Sequence, residues 1–80
     1  MAIVFLKTAT VESSWVDSIG FAAKGRKTGL AVLFKNGFAC YYDGYNQRDY
    51  ENFKRAASKG KWVWRKLYYE DYEEITFDES

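Results

Sequence analysis

Leu30-Ala31-Val32-Leu33-Phe34-Lys35-Asn36-Gly37-Phe38-Ala39-Cys40-Tyr41-Tyr42 is two short apolar runs around a polar break of three residues. Runs of this length, rich in β-branched and aromatic residues and bounded by a turn signal, form strands of a hairpin. The turn decides which side chains share a face. A two-residue Asn36-Gly37 turn would pair Phe34 with Ala39, putting Leu30, Val32 and Phe34 opposite Phe38, Cys40 and Tyr42. A three-residue loop with Gly37 left-handed in a bulge pairs Phe34 with Phe38 instead. All six bulky residues then lie on one face, which favours the bulged turn. The other face carries Ala31, Leu33, Ala39 and Tyr41, is less bulky, and is expected to stay open to solvent or a partner.

The flanking sequence extends this hairpin. Ile3-Val4-Phe5-Leu6-Lys7 and Val16 to Ala23 read as further strands, and Lys24-Gly25-Arg26-Lys27-Thr28-Gly29 as a polar turn. A helix follows. Asn46 is its expected N-cap with Asp49 in the capping-box position, and Tyr45 and Tyr50 occupy the staple positions. Tyr50, Phe53 and Ala57 follow the spacing of a buried helical stripe. Glu51 and Arg55 are set to pair at i, i+4, and Gly60 is the expected stop. Trp62 to Tyr72 fits strand and helix spacing alike. Ile75-Thr76-Phe77 reads as a last edge strand beside Ile3 to Leu6. The expected fold class is α+β: an antiparallel sheet of three to five strands with one main helix packed on one face.

Eighty residues make one domain, 1–80, with an acidic C-terminal segment, 70–80. Hydrophobic residues are 48% and aromatic residues 20% of the chain, which argues against disorder. A single cysteine, Cys40, and no histidine exclude an internal disulfide, a Cys/His zinc site and histidine-based acid–base catalysis. Gly29 to Phe34 is the longest wholly apolar stretch, too short for a transmembrane helix. The opening MAIVFLKTATV lacks the basic and apolar regions of a secretory leader. A cytoplasmic, non-enzymatic domain with no cofactor and no membrane partner is expected. Ser13 and Ser14 read as turn hydroxyls, and Cys40, mid-strand on the core face, as an inert thiol.

Charge is unevenly placed. The net charge is +1, but all eleven bases beyond Lys7 lie between Lys24 and Lys66, and six acids with no base follow from Glu70 onward. Two groups in the basic middle suit nucleic acid: Lys24, Arg26 and Lys27 on one turn, and Lys59, Lys61, Arg65 and Lys66 interleaved with Trp62 and Trp64. Cations hold phosphates, and aromatic rings give every base a face to stack on. Plainer roles compete with each: a solvated turn, cations complementing the helix C-terminus, rings packed into the core, or rings forming a protein contact. The acidic tail is expected to fold back on the basic patch, to act as an acidic decoy, or to remain solvated.

Val11-Glu12-Ser13-Ser14-Trp15-Val16-Asp17-Ser18-Ile19-Gly20-Phe21 resembles the opening V-x-S-S-x-I-x-x-V-G-Y of the KTSC domain, named after a C-terminal extension of some lysyl-tRNA synthetases. Leu30 to Gly37 looks like its L-x-V-x-F-x-x-G. Tyr50, Phe53, Ala56, Ser58 and Gly60 look like its helix ending, and together the motifs span Val11 to Leu67. The chain departs from the family at Cys40, where a Tyr-x-Tyr begins, at Tyr45-Asn46 in place of Val-Pro, and at Trp64, Leu67 and Tyr68. The resemblance implies a small stand-alone domain of bacterial or phage origin and, through the synthetase context, an association with RNA. The expected function is binding of RNA or single-stranded nucleic acid by Lys24, Arg26, Lys27, Lys59, Lys61, Trp62, Trp64, Arg65 and Lys66. The alternative is a protein-interaction module, such as a phage or mobile-element protein acting on a host protein.

Overall fold

A computed structural model of the chain describes residues 3–56, 61 and 71–77. Five strands form one antiparallel sheet in the order β1-β2-β3-β4-β5: β1 (Ile3–Thr10), β2 (Val16–Lys24), β3 (Lys27–Phe34), β4 (Ala39–Asp43) and β5 (Glu73–Glu74). The main helix among the described residues, α1 (Gln47–Arg55), lies between β4 and β5 in the chain. The molecule is thus α+β with one main helix, as the sequence predicts.

Turn chemistry explains the hairpins. Between β2 and β3 only Gly25 and Arg26 intervene, and Lys24 pairs with Lys27. Gly25 has φ 64° and Arg26 has a negative φ, the pattern of a type II′ turn, whose twist suits adjoining strands. Between β3 and β4 the bulged loop forms. Gly37 has φ 91° and donates its N–H to Phe34 O at 3.0 Å, while Phe34 N–H donates to Phe38 O at 2.8 Å. Leu33 then pairs with Ala39 and Leu30 with Tyr42. Asn36 Oδ1 accepts from Phe38 N–H at 3.0 Å and steadies the loop.

The shared register puts Ile19, Phe21, Leu30, Val32, Cys40 and Tyr42 on one face, where all are buried. Helix α1 covers this face with Tyr50 and Phe53. Its start is fixed twice over: Asn46 Oδ1 accepts from Asp49 N–H at 3.0 Å, and Asp49 Oδ2 accepts from Asn46 N–H at 2.9 Å. Thr28 anchors the lead-in. Its carbonyl accepts from the N–H groups of Gly44 and Tyr45, and its hydroxyl donates to Tyr45 O at 2.7 Å. The helix ends at Arg55, before the expected Gly60, because Ala56 takes an extended conformation. Glu51 pairs with Lys7 of β1 at 3.7 Å rather than with Arg55, so the ion pair ties helix to sheet.

The second face departs from expectation: Ala31, Ala39 and Tyr41 are buried, not open. Curvature is the reason. The residues of this face in β2, β3 and β4 are mostly small, including Gly20, Ala22, Gly29, Ala31 and Ala39. Bulges interrupt β1 between Phe5 and Lys7 and β2 between Val16 and Ser18, and bulges increase bending and twist. In a flat five-stranded sheet the outer strands would be about 19 Å apart. Here Phe5 of β1 meets Phe77, just beyond β5, with ring centroids 4.8 Å apart. The sheet therefore curls around its second face. The final strand also differs: β5 is Glu73–Glu74 beside β4, and Ile75 N–H donates to Ala39 O at 3.1 Å. The Phe77 ring reaches β1 at Phe5.

Candidate nucleic-acid interface

The β2–β3 hairpin projects its cations at one end of the sheet. Arg26 and Lys27 are exposed, and Lys24 is partly buried. Cross-strand pairing of Lys24 with Lys27 places two ammonium-bearing side chains side by side, an arrangement destabilising without a nearby anion. Lys24 has one: its Nζ donates to Glu73 Oε1 of β5. That bond, with help from the Glu73 and Asp43 charges, raises the Lys24 pKa above its ordinary value. The acidic segment therefore does fold back onto the basic hairpin, through one specific contact.

Beside the hairpin runs a groove of about 380 Å³ lined by Lys27, Thr28, Asp43, Gly44, Tyr45 and Asn46. Its geometry follows from the register. Because Gly29 pairs with Asp43, the start of β3 lies against the loop from β4 to α1. The Thr28 bonds hold that loop, with Gly44 at φ 91°, and the capping box fixes its junction with the helix. Sequence reasoning named Lys27 and missed the other walls, although the bulged-turn register already brings residue 27 towards residue 45.

Lys24, Arg26 and Lys27 thus come together. Lys61 is exposed. Lys59, Trp62, Trp64, Arg65 and Lys66 lie outside the described residues, as does the expected stop at Gly60. Of the described aromatics, Tyr45 lines the groove beside Lys27, while Trp15, Phe34, Phe38 and Tyr72 form a row that starts at the other end of the sheet. Trp15 stacks on Phe34 with centroids 5.3 Å apart and planes at 7°, Phe34 stacks on Phe38 at 6.3 Å, and Phe38 meets Tyr72 edge-on at 5.9 Å. Strand β3 separates the two ends by about 24 Å.

Other polar groups take structural roles. Ser13 Oγ accepts from the N–H groups of Trp15 and Val16, both at 3.4 Å, as a turn hydroxyl does. Cys40 is buried and its Sγ contacts Tyr42 Oη at 3.3 Å; burial pushes the thiol pKa up and keeps it from forming a reactive thiolate. Tyr41 is 2% exposed, and its Oη lies beside the Asp43 carboxylate without well-formed hydrogen-bond geometry to any described residue. Burial, then the Asp43 contact and the Asp43 and Glu73 charges, raise its pKa and keep the phenol neutral. Among the described residues no group of His, Cys, Asp or Glu is placed to hold a metal ion, and no helix is long and apolar enough to cross a membrane. Comparison with known protein families, with curated proteins and with solved structures finds no match for this chain.

Proposed function

We propose that this domain is a non-enzymatic binding module for single-stranded nucleic acid, RNA foremost, and that the β2–β3 hairpin grips the phosphate backbone. One observation carries this: three cations share a hairpin whose Lys27 borders a groove walled on its far side by Tyr45 and Asn46. A guanidinium such as Arg26 binds phosphate oxygens in pairs, and Lys27 adds a point charge. Asp43 on the groove wall repels phosphate from the interior, which leaves the backbone at the hairpin rim and the groove for a base. Tyr45 is half-buried there and supplies aromatic surface for stacking. The resemblance to the KTSC domain supports the RNA side, and we propose membership of that family on the same footing.

Fluorescence anisotropy with a labelled oligonucleotide at several salt concentrations tests this. Each phosphate neutralised on a single strand contributes a log–log slope of about −0.7. Four to six contacts among Lys24, Arg26, Lys27, Lys59, Lys61, Arg65 and Lys66 give roughly −3 to −4. Replacing both Arg26 and Lys27 with Gln should weaken binding and make the slope about 1.4 units shallower. Absence of binding at low salt would overturn the proposal.

A second reading, contact with a host protein, is favoured by a different observation. On the edge strand β1, Val4 is 57% and Leu6 is 52% exposed, and exposed apolar side chains on a sheet edge mark an interaction surface. Capture of a host protein that survives nuclease treatment and is lost in Val4→Glu would establish it.

A further inference from the structure

We propose that Glu73 is a built-in competitor for nucleic acid: its carboxylate occupies, on Lys24, the place a phosphate group takes when the hairpin is engaged. The proposal rests on the nucleic-acid reading above and adds the identity of the group that must be displaced. Three observations carry it. Lys24 Nζ is bonded to an oxyanion at the hairpin where phosphate would dock, and that oxyanion comes from a residue 49 positions away in the chain. The contact bridges β2 to β5 across two intervening strands, so it exists only because the sheet curls. Finally, the Glu73 carboxylate can leave without disturbing the backbone: its side chain is 47% exposed, and the segment around it is held by other contacts, Ile75 N–H to Ala39 O and Phe77 against Phe5.

Tyr41 lies at the same edge: it pairs with Glu73 in the β4–β5 ladder, and its buried hydroxyl is beside the Asp43 carboxylate. A space of about 180 Å³ at this edge is lined by Tyr41, Asp43, Asp71, Tyr72 and Glu73, and two of these acids, Glu73 and Asp43, act on Lys24. Phosphate binding at Lys24 frees Glu73 to water. No covalent bond is made or broken in this exchange; one oxyanion replaces another on the same ammonium.

The test is anisotropy with the same labelled oligonucleotide on the wild type, Glu73→Gln, Lys24→Gln and the double variant. Gln keeps the shape of an exposed Glu, so the fold is retained. Removing an exposed competing pair should tighten binding about two- to fivefold. The salt slope should steepen by up to about 0.7, because a released Glu73 no longer recruits a cation. In the Lys24→Gln background, Glu73→Gln should have a much smaller effect. A Glu73→Gln effect of the same size with and without Lys24 would mean only a change in net charge, and would overturn the proposal. Equal binding by wild type and Glu73→Gln would overturn it while leaving the nucleic-acid reading intact. Failure of wild type and Glu73→Gln alike to bind at low salt would overturn both.

Discussion

Gly29→Ala is the sharpest test of how β3 meets β4. A methyl group built on Gly29 would lie 2.1 Å from the carbonyl oxygen of Tyr42 and 2.9 Å from both Cζ and Oη of Tyr41. Real methyl groups essentially never approach another heavy atom closer than 3.0 Å, so the strands must separate by about 1 Å at this point. The obstacle is main chain, which cannot rotate away. Overpacking ordinarily costs about 1–3 kcal/mol and sometimes more; a backbone collision belongs at the upper end, at about 3 kcal/mol or beyond. A domain of this size has roughly 4–12 kcal/mol of stability in total, so the variant should be severely weakened. Urea denaturation followed by far-UV circular dichroism reads the loss as a lowered midpoint. Removing the Tyr41 ring in the same chain should not restore stability, because the Tyr42 carbonyl remains. A loss below about 1 kcal/mol, with an unchanged denaturant slope, would refute the close β3–β4 approach.

Three further outcomes are expected. Phe53→Ala should cost about 3–5 kcal/mol in the same assay, because Phe53 is 0% exposed beneath α1. Gly37→Val should cost about 1–2 kcal/mol from the backbone alone, since φ is 91° and nothing lies within 4 Å of the added group. Tyr41→Phe should leave stability unchanged or raise it by up to about 1 kcal/mol, because a buried hydroxyl with no well-formed hydrogen bond among the described residues is a cost in the folded state; a loss above about 1 kcal/mol would show that the hydroxyl is paired, with Asp43 the nearest acceptor.

The sequence was most informative where short-range chemistry decides. Gly37 within a three-residue polar break specified the bulged hairpin, and six apolar residues then had only one common face. Asn46 and Asp49 specified the helix start for the same reason: the capping box is closed within three residues. The second face is closed, against expectation, because small residues are compatible with an open surface and with close packing alike, and only the curl of the sheet decides between them. Gly20, Gly29, Ala31 and Ala39 permit close approach, and glycine inside a strand is a signal of that. Strand β5 was hidden because two consecutive glutamates carry no strand pattern; their pairing with Cys40 and Tyr41 depends on the curl of the whole sheet. The hairpin cations were legible as a cluster. The groove beside them was not, since Tyr45 and Asn46 enter it through the loop that leads into α1.

The electrostatics of the hairpin link its stability to the proposed function. Lys24 and Lys27 face each other across a two-residue turn, with Arg26 between them. Like charges directly opposite oppose strand pairing, so an anion at this end of the sheet stabilises the hairpin whatever its source. Within the chain that anion is Glu73, supported by the Asp43 charge. On the proposed function, a bound phosphate backbone would supply the same compensation from outside, and with more charge. Arg26 and Lys27, exposed at the tip, would meet it first, and Lys24, already paired with Glu73, would change partner afterwards. That order follows from position: exposed cations at the tip are reached before a cation that already holds an anion.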